Sequence, residues 1–171
     1  AQQDLLARVE KTVGPGAVVS SNTSGLPLHS VAEGRSDDFR HRFLGTHFFN
    51  PPRYLKLVEL IPTADTDPEV LEGMRAFVER VLGKGAVVAK DTPNFIANRL
   101  GSFAGMHDVR YALEHGYSIE EVDALTGPLV GRPRTATFRL FDQVGLDVMV
   151  GVAGNLYELG PTDEQRDVLP A

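Results

Sequence analysis

Four short apolar blocks in the chain are spaced and bounded like strands. They are AVVS at residues 17–20, RFLGTHFF at 42–49, KLVELI at 56–61 and AVVA at 86–89. Each is four to eight residues long and stops at Gly, Pro or polar residues, as a buried strand does. Helical spacing fills the intervals. Leu5, Leu6, Val9 and Val13 predict an opening helix that ends at Gly14-Pro15-Gly16. The run TDPEVLEGMRAFVERVLGKG, residues 66–85, predicts the clearest helix. Thr66 or Asp67 can cap it and Pro68 suits its first turn. Val70, Leu71, Met74, Phe77, Val78, Val81 and Leu82 form one apolar face, and Gly83 or Gly85 stops it.

The spacing changes after Asp91. Thr92-Pro93 opens a long helical stretch to about His115, closed by Gly116. Ser118 caps a further helix, IEEVDAL, and TATFRLFDQVG and LDVMVGVAGNLYEL predict two more. No strand pattern follows Ala89. The expected architecture is therefore α/β followed by all-α, with the boundary near residues 91–93.

Composition narrows the setting. Of 171 residues, 42% are hydrophobic, enough for a sizeable core. The absence of cysteine excludes a disulfide framework and a thiolate metal site. No apolar run approaches the roughly 20 residues of a membrane span, and no signal peptide is visible, so a cytoplasmic setting without a membrane partner is expected. The net charge is −6 and the 17 Lys and Arg are scattered. That disfavours a nucleic-acid surface, which needs clustered cations. Ala1 is not a Met and no capping residue precedes the first helix. The expectation is a piece of a longer chain.

Four polar residues stand where packing alone does not put them. His47 lies inside the apolar run GTHFFNPP. Glu59 lies within KLVELI, where a period of two puts it on one face with Leu57 and Ile61. Alone, His47 reads as a satisfied core histidine and Glu59 as a strand-edge carboxylate. However, a short Pro-containing connection joins the two strands, so the side chains can face each other. A buried carboxylate needs a partner, and a carboxylate beside an imidazole fixes its tautomer, the arrangement a general base needs. The third residue is Ser24, at the end of SNTS, in a loop at the carboxyl end of a strand, where open α/β sheets bind ligands. The fourth is Asn98, early in the helix after Pro93. A polar turn and a surface Asn are the plain readings of these two. Together the four could line one cleft, offering a base, its orienter and two neutral hydrogen-bonding groups. They offer no activated nucleophile. His41 precedes His47 by six residues, with no third ligand spaced to complete a metal site.

The ordered set SNTSGL, RFLGTHFFNPP, KLVELI, KDTPNFIANRL and FRLFDQVGLD resembles the 3-hydroxyacyl-CoA dehydrogenases of fatty-acid β-oxidation, over nearly the whole chain to about Tyr157. The resemblance implies that residues 1–91 are the C-terminal part of a Rossmann-like NAD-binding domain and residues 92–171 a helical dimerisation domain. It implies an NAD cofactor, an acyl-CoA substrate and a homodimer through the helical part. It further implies that His47 takes the substrate's 3-hydroxyl proton and Glu59 pairs with it. Ser24 would bond the substrate oxygen beside the nicotinamide, Asn98 contact the substrate, and Asn50 lie near the nicotinamide end of the cofactor.

One departure is large. No G-x-G-x-x-G follows a strand anywhere in these residues. The Gly-rich first half of the nucleotide domain is therefore expected to be missing, and the helical domain to stop early after QRDVLPA. The chain alone is expected to be inactive and to bind NAD weakly. A non-catalytic dimerisation or scaffold fragment, and a related hydroxy-acid dehydrogenase that does not use CoA, are the competing readings.

Overall fold

The computed structural model describes residues 2–159. The expected early end of the helical part, at residues 160–171, lies outside the described residues. Two compact units divide at Ile96/Ala97.

The first unit is a four-stranded sheet in the order β1-β2-β3-β4. Its strands are β1 (Val19–Ser21), β2 (Phe43–Phe48), β3 (Leu57–Pro62) and β4 (Gly85–Val88). β1 runs parallel to β2 and β3 parallel to β4, whereas β2 and β3 are antiparallel. Period-two alternation gives the sheet two cores. On one face Phe43 and Ile61 pack with Leu6 of helix α1 (Gln2–Glu10), Leu28 and Val31 of α2 (Leu28–Val31) and Phe39 of α3 (Asp37–His41). On the other, Val58 and Leu60 meet Val78, with Leu71 and Met74 of α4 (Pro68–Ala76) packed alongside. Glu59 shares the first face with Ile61.

Three local expectations are corrected. First, neither Thr66 nor Asp67 caps α4 through its side chain. Asp67 holds the cap position without a side-chain bond, while the Thr66 hydroxyl donates to the Phe43 carbonyl at 2.7 Å and accepts from the Thr63 N–H at 2.8 Å. Second, the apolar face of residues 70–82 is not continuous. α4 runs into a π-helical turn at Phe77–Val81. The wider turn shifts the face by a residue, so Val78 is fully buried while Phe77, Val81 and Leu82 are exposed. Gly83 then ends the helix at φ 62°. Third, Thr92-Pro93 does not open the next helix. Asn94 and Phe95 have left-handed backbone, and α5 starts at Ala97.

Helices α2 and α3 leave no trace in the periodicity because they are four and five residues long. Partners from elsewhere in the chain support both. Asp91 stands in for the missing cap of α2: its carboxylate accepts from the N–H groups of Leu28 at 2.6 Å and His29 at 2.8 Å. Glu10, at the end of α1, accepts from both the hydroxyl (2.6 Å) and the N–H (2.8 Å) of Ser36, the cap of α3, and pairs with Arg35 at 3.1 Å. The Ser36 hydroxyl above all, with its N–H and the Arg35 charge, holds the Glu10 carboxyl below its ordinary range. A depressed folded value stabilises the fold above the unfolded value and is lost as pH falls through the folded one. Glu10→Gln is therefore expected to lower the thermal unfolding midpoint at neutral pH. The gap to the parent should start to narrow below the ordinary glutamate value of about 4.3 and close in more acid solution, below the lowered folded value. Melting curves at both pH values check this; a gap that persists in acid contradicts the linkage.

The second unit is helical: α5 (Ala97–His115), α6 (Ile119–Thr126), a 3-10 turn at Pro128–Val130, α7 (Phe138–Val144) and α8 (Leu146–Leu159). Gly116 takes φ 73° after α5. Ser118 and Glu121 form a reciprocal capping box on α6. Asp123, buried, accepts from the N–H groups of Thr137, Phe138 and Arg139 and so caps α7 from α6. Of the apolar residues that could be surplus to this unit's packing, Leu100, Phe103, Leu140 and Val148 are exposed and Phe138 is half-buried, whereas Phe141 and Leu156 are buried. Phe95 and Ile96 belong to the first unit, where Phe95 is buried and Ile96 exposed. No described helix is long and apolar enough to cross a membrane.

Candidate active site

β2 delivers His47 to the end of the sheet from a run in which Phe43, Leu44, Gly45 and Thr46 are all buried. The antiparallel register sets His47 directly opposite Glu59. Their side chains meet: Nδ1 of the imidazole lies 2.7 Å from Oε2 of the carboxylate, within the separation expected of an orienting pair. Both are buried, at 3% and 1% exposure. A carboxylate that has left water must have its lone pairs met. Oε2 accepts from Nδ1–H, and Oε1 accepts from the Ile96 N–H at 3.1 Å. A carboxylate can only accept, so the proton of the neutral imidazole sits on Nδ1 and the lone pair on Nε2. Among the described residues Nε2 makes no hydrogen bond. Two rings flank the imidazole: Phe49 at 4.5 Å between centroids and 60° tilt, Phe95 at 5.6 Å and 58°.

The loop after β1 is tied to the same end of the sheet. The Asn22 side chain accepts from the Phe48 N–H at 3.0 Å, which carries the β1–β2 contact past its last pair, Ser21 with Gly45. Thr46 Oγ1 donates to Ser20 Oγ at 3.0 Å across the same two strands. Gly25 closes the loop against Asn94: a Cβ at Gly25 would stand 2.3 Å from Asn94 Oδ1. Ser24 lies exposed between these anchors. Asn50, also exposed, follows β2 where the chain turns away through Pro51 and Pro52. Lys84 Nζ holds that departure by donating to the carbonyls of Pro52 (2.5 Å) and Leu55 (2.6 Å).

Of the expected site residues, His47 and Glu59 are thus in direct contact. Ser24 and Asn50 follow the carboxyl ends of two parallel neighbours, β1 and β2. Asn98 is half-buried in the first turn of α5, in the second unit. Strand and helix periodicity gives no role to Phe49, Phe95, the Ile96 N–H or Asn22. An aromatic two residues after the histidine, just past the end of β2, is the signal for Phe49; the others depend on turns that periodicity does not register. Among the described residues no three His, Asp or Glu cluster to hold a metal.

A dinucleotide fits this end of the sheet in part. The carboxyl ends of the parallel pair β1 and β2, with exposed Ser24 and Asn50, suit the nicotinamide end of such a cofactor. The Gly-rich turn that meets the pyrophosphate does not occur in these 171 residues.

Two family models match the chain in order. Residues 1–92 match the family model for the 3-hydroxyacyl-CoA dehydrogenase NAD-binding domain, and residues 95–170 the model for the C-terminal domain of the same enzymes. A probable 3-hydroxyacyl-CoA dehydrogenase of Bacillus subtilis is 55% identical over 165 residues, covering 96% of this chain and 21% of that protein. One from Deinococcus radiodurans is 49% identical over 164 residues, covering 96% and 47%. The crystal structure of (S)-3-hydroxybutyryl-CoA dehydrogenase from Ralstonia eutropha superposes with a TM-score of 0.84 at 29% identity, over 96% of this chain and 57% of that one. The chain therefore spans about a fifth of the first relative and about half of the second. With both domain models matched in order, the chain belongs to the 3-hydroxyacyl-CoA dehydrogenase family of oxidoreductases.

Proposed function

We propose that this chain supplies the acid–base site for NAD-linked oxidation of L-3-hydroxyacyl-CoA to 3-oxoacyl-CoA, with His47 as the base and Glu59 as its partner. The observation that carries the reading is the buried 2.7 Å bond from Nδ1 to Glu59, which leaves the Nε2 lone pair as the proton acceptor. When Nε2 takes the proton of the substrate's 3-hydroxyl, the ring becomes an imidazolium beside a carboxylate already in place. No solvent needs to reorganise to stabilise it. The phenyl rings of Phe49 and Phe95 keep water from the imidazole. Ser24 donates to the reacting oxygen, Asn98 contacts the substrate, and Asn50 lies near the nicotinamide. NAD, when bound, supplies the acceptor for the hydride from C3.

The same reading makes residues 1–91 the latter part of an NAD-binding domain and residues 92–171 a helical domain that pairs with a second copy. The exposed apolar side chains Leu100, Phe103, Leu140 and Val148 support such pairing. Sedimentation showing only monomer at high concentration contradicts it.

The substrate is tested by offering the enzyme that carries this chain NAD with L-3-hydroxybutyryl-CoA, its D isomer, or free L-3-hydroxybutyrate. NADH absorbance should rise with the L-CoA ester. Preference for the free acid favours a hydroxy-acid dehydrogenase that does not use CoA. Turnover of none of them by folded protein favours a scaffold role.

A further inference from the structure

Between β4 and α5 two consecutive residues have left-handed backbone, Asn94 at φ 60° and Phe95 at φ 51°. Asn adopts this region more readily than most residues, but for a bulky side chain such as Phe it is an outlier. Conformations of this kind persist where surrounding contacts impose them. Both residues are buried, at 3% and 2% exposure. Their contacts lead to three parts of the site. The Asn94 N–H donates to the Gly25 carbonyl at 3.3 Å, joining the turn to the loop after β1. The Phe95 ring lies against the His47 imidazole. The next N–H, that of Ile96, donates to Glu59 Oε1. Within the turn, the Phe95 N–H closes onto the Thr92 carbonyl at 3.1 Å.

We propose that the turn at residues 92–96 is a positioning device for the His47–Glu59 pair, with Phe95 as its positioning residue. The proposal rests on the reading of His47 as the base. A hydrogen bond at Nδ1 fixes one direction of the imidazole but leaves the ring plane able to rock. Phe49 and Phe95 restrain that rocking and so fix where Nε2 points. The Ile96 N–H holds Oε1, which turns Oε2 toward the ring. Left-handed backbone at residues 94 and 95 is what lets one short turn present both the phenyl ring and the following N–H to the pair. Phe95 and Ile96 act through His47 and Glu59 and take no part in the bond changes. A displacement of about 1 Å in a reacting group can cost about 100-fold in rate.

The test compares Phe95→Ala, Phe95→Leu and a core control, Phe39→Leu, in the enzyme that carries this chain. Phe39 is buried in the same core and stacks on Phe43 rather than on the imidazole. Phe95→Ala is expected to lower kcat by about 10–100-fold with KM within about threefold. Phe95→Leu, which restores bulk without a flat face, should recover only a small part of that loss. The proton NMR signal of His47 Nδ1–H, shielded from exchange in the parent, should broaden in Phe95→Ala and stay sharp in Phe39→Leu. If Phe95→Ala does not fold, the test passes to Phe95→Leu, where a kcat deficit and a broadened Nδ1–H signal support the positioning role. The proposal is overturned if folded Phe95 variants keep parental kcat and a sharp signal. It is equally overturned if Phe39→Leu shows the same losses, since the effect would then be general destabilisation. A fast His47→Gln enzyme would instead remove the base reading itself. A slow His47→Gln enzyme beside a fast Phe95→Ala enzyme removes only the positioning role.

Discussion

His47→Gln is expected to lower kcat by about 10²–10⁴-fold, the usual range for loss of a general base. Glutamine roughly matches the reach of the imidazole and keeps a hydrogen-bonding group near Glu59, so KM should change little. What it lacks is a nitrogen lone pair that can accept a proton near neutral pH. The substrate hydroxyl would then have to lose its proton to water in a site lined by Phe49 and Phe95, with no preset charge partner. Steady-state kinetics on the variant, alongside an unfolding curve that matches the parent, separates this loss from damage to the fold. Turnover within a few-fold of the parent sinks the assignment.

Glu59→Ala is expected to be the most damaging single change to stability, at about 3–5 kcal/mol: a buried donor left without its acceptor costs about 1–3 kcal/mol and the cavity about 2 kcal/mol or more. Two donors, the buried His47 Nδ1–H and the part-buried Ile96 N–H, lose their acceptor together. The truncation also leaves a cavity in a face shared with Ile61 and Phe43. A domain holds only about 5–15 kcal/mol in total, so the loss should move the urea midpoint far below that of the parent. Glu59→Gln keeps the volume and one acceptor and should cost less, about 1–3 kcal/mol. If Glu59→Ala unfolds within about 1 kcal/mol of the parent, the carboxylate is not the buried anchor described here.

The legible part of the site is the part that period-two spacing controls. His47 and Glu59 sit on strands joined by a short connection, and the antiparallel register then leaves little freedom in their pairing. The four strands are legible as short apolar blocks with Gly, Pro or polar bounds, each within a residue or two of its place. The turn at residues 92–96 is not. Pro93 reads as a helix opener, and nothing in local propensity places a phenylalanine in left-handed backbone. The burial of that ring against His47 and Ile96's bond to Glu59 override propensity there. Asn94 is the available hint, since Asn is enriched in that region. α2 and α3 escape because Asp91 and Glu10, which support them, lie far away in sequence. In α4 the spacing marks the apolar residues but not the π-helical turn that rotates Phe77 and Val81 outward.

The central claim is that His47 acts in the chemical step. The measurement closest to it is the isotope effect on kcat of His47→Gln, comparing L-3-hydroxybutyryl-CoA carrying deuterium at C3 with the unlabelled substrate. With the base gone, bond breaking at C3 and O3 should limit turnover, and the slow variant should show a primary deuterium effect clearly above unity. A slow variant with no isotope effect would place the loss in binding or product release and contradict the role of His47 as the base.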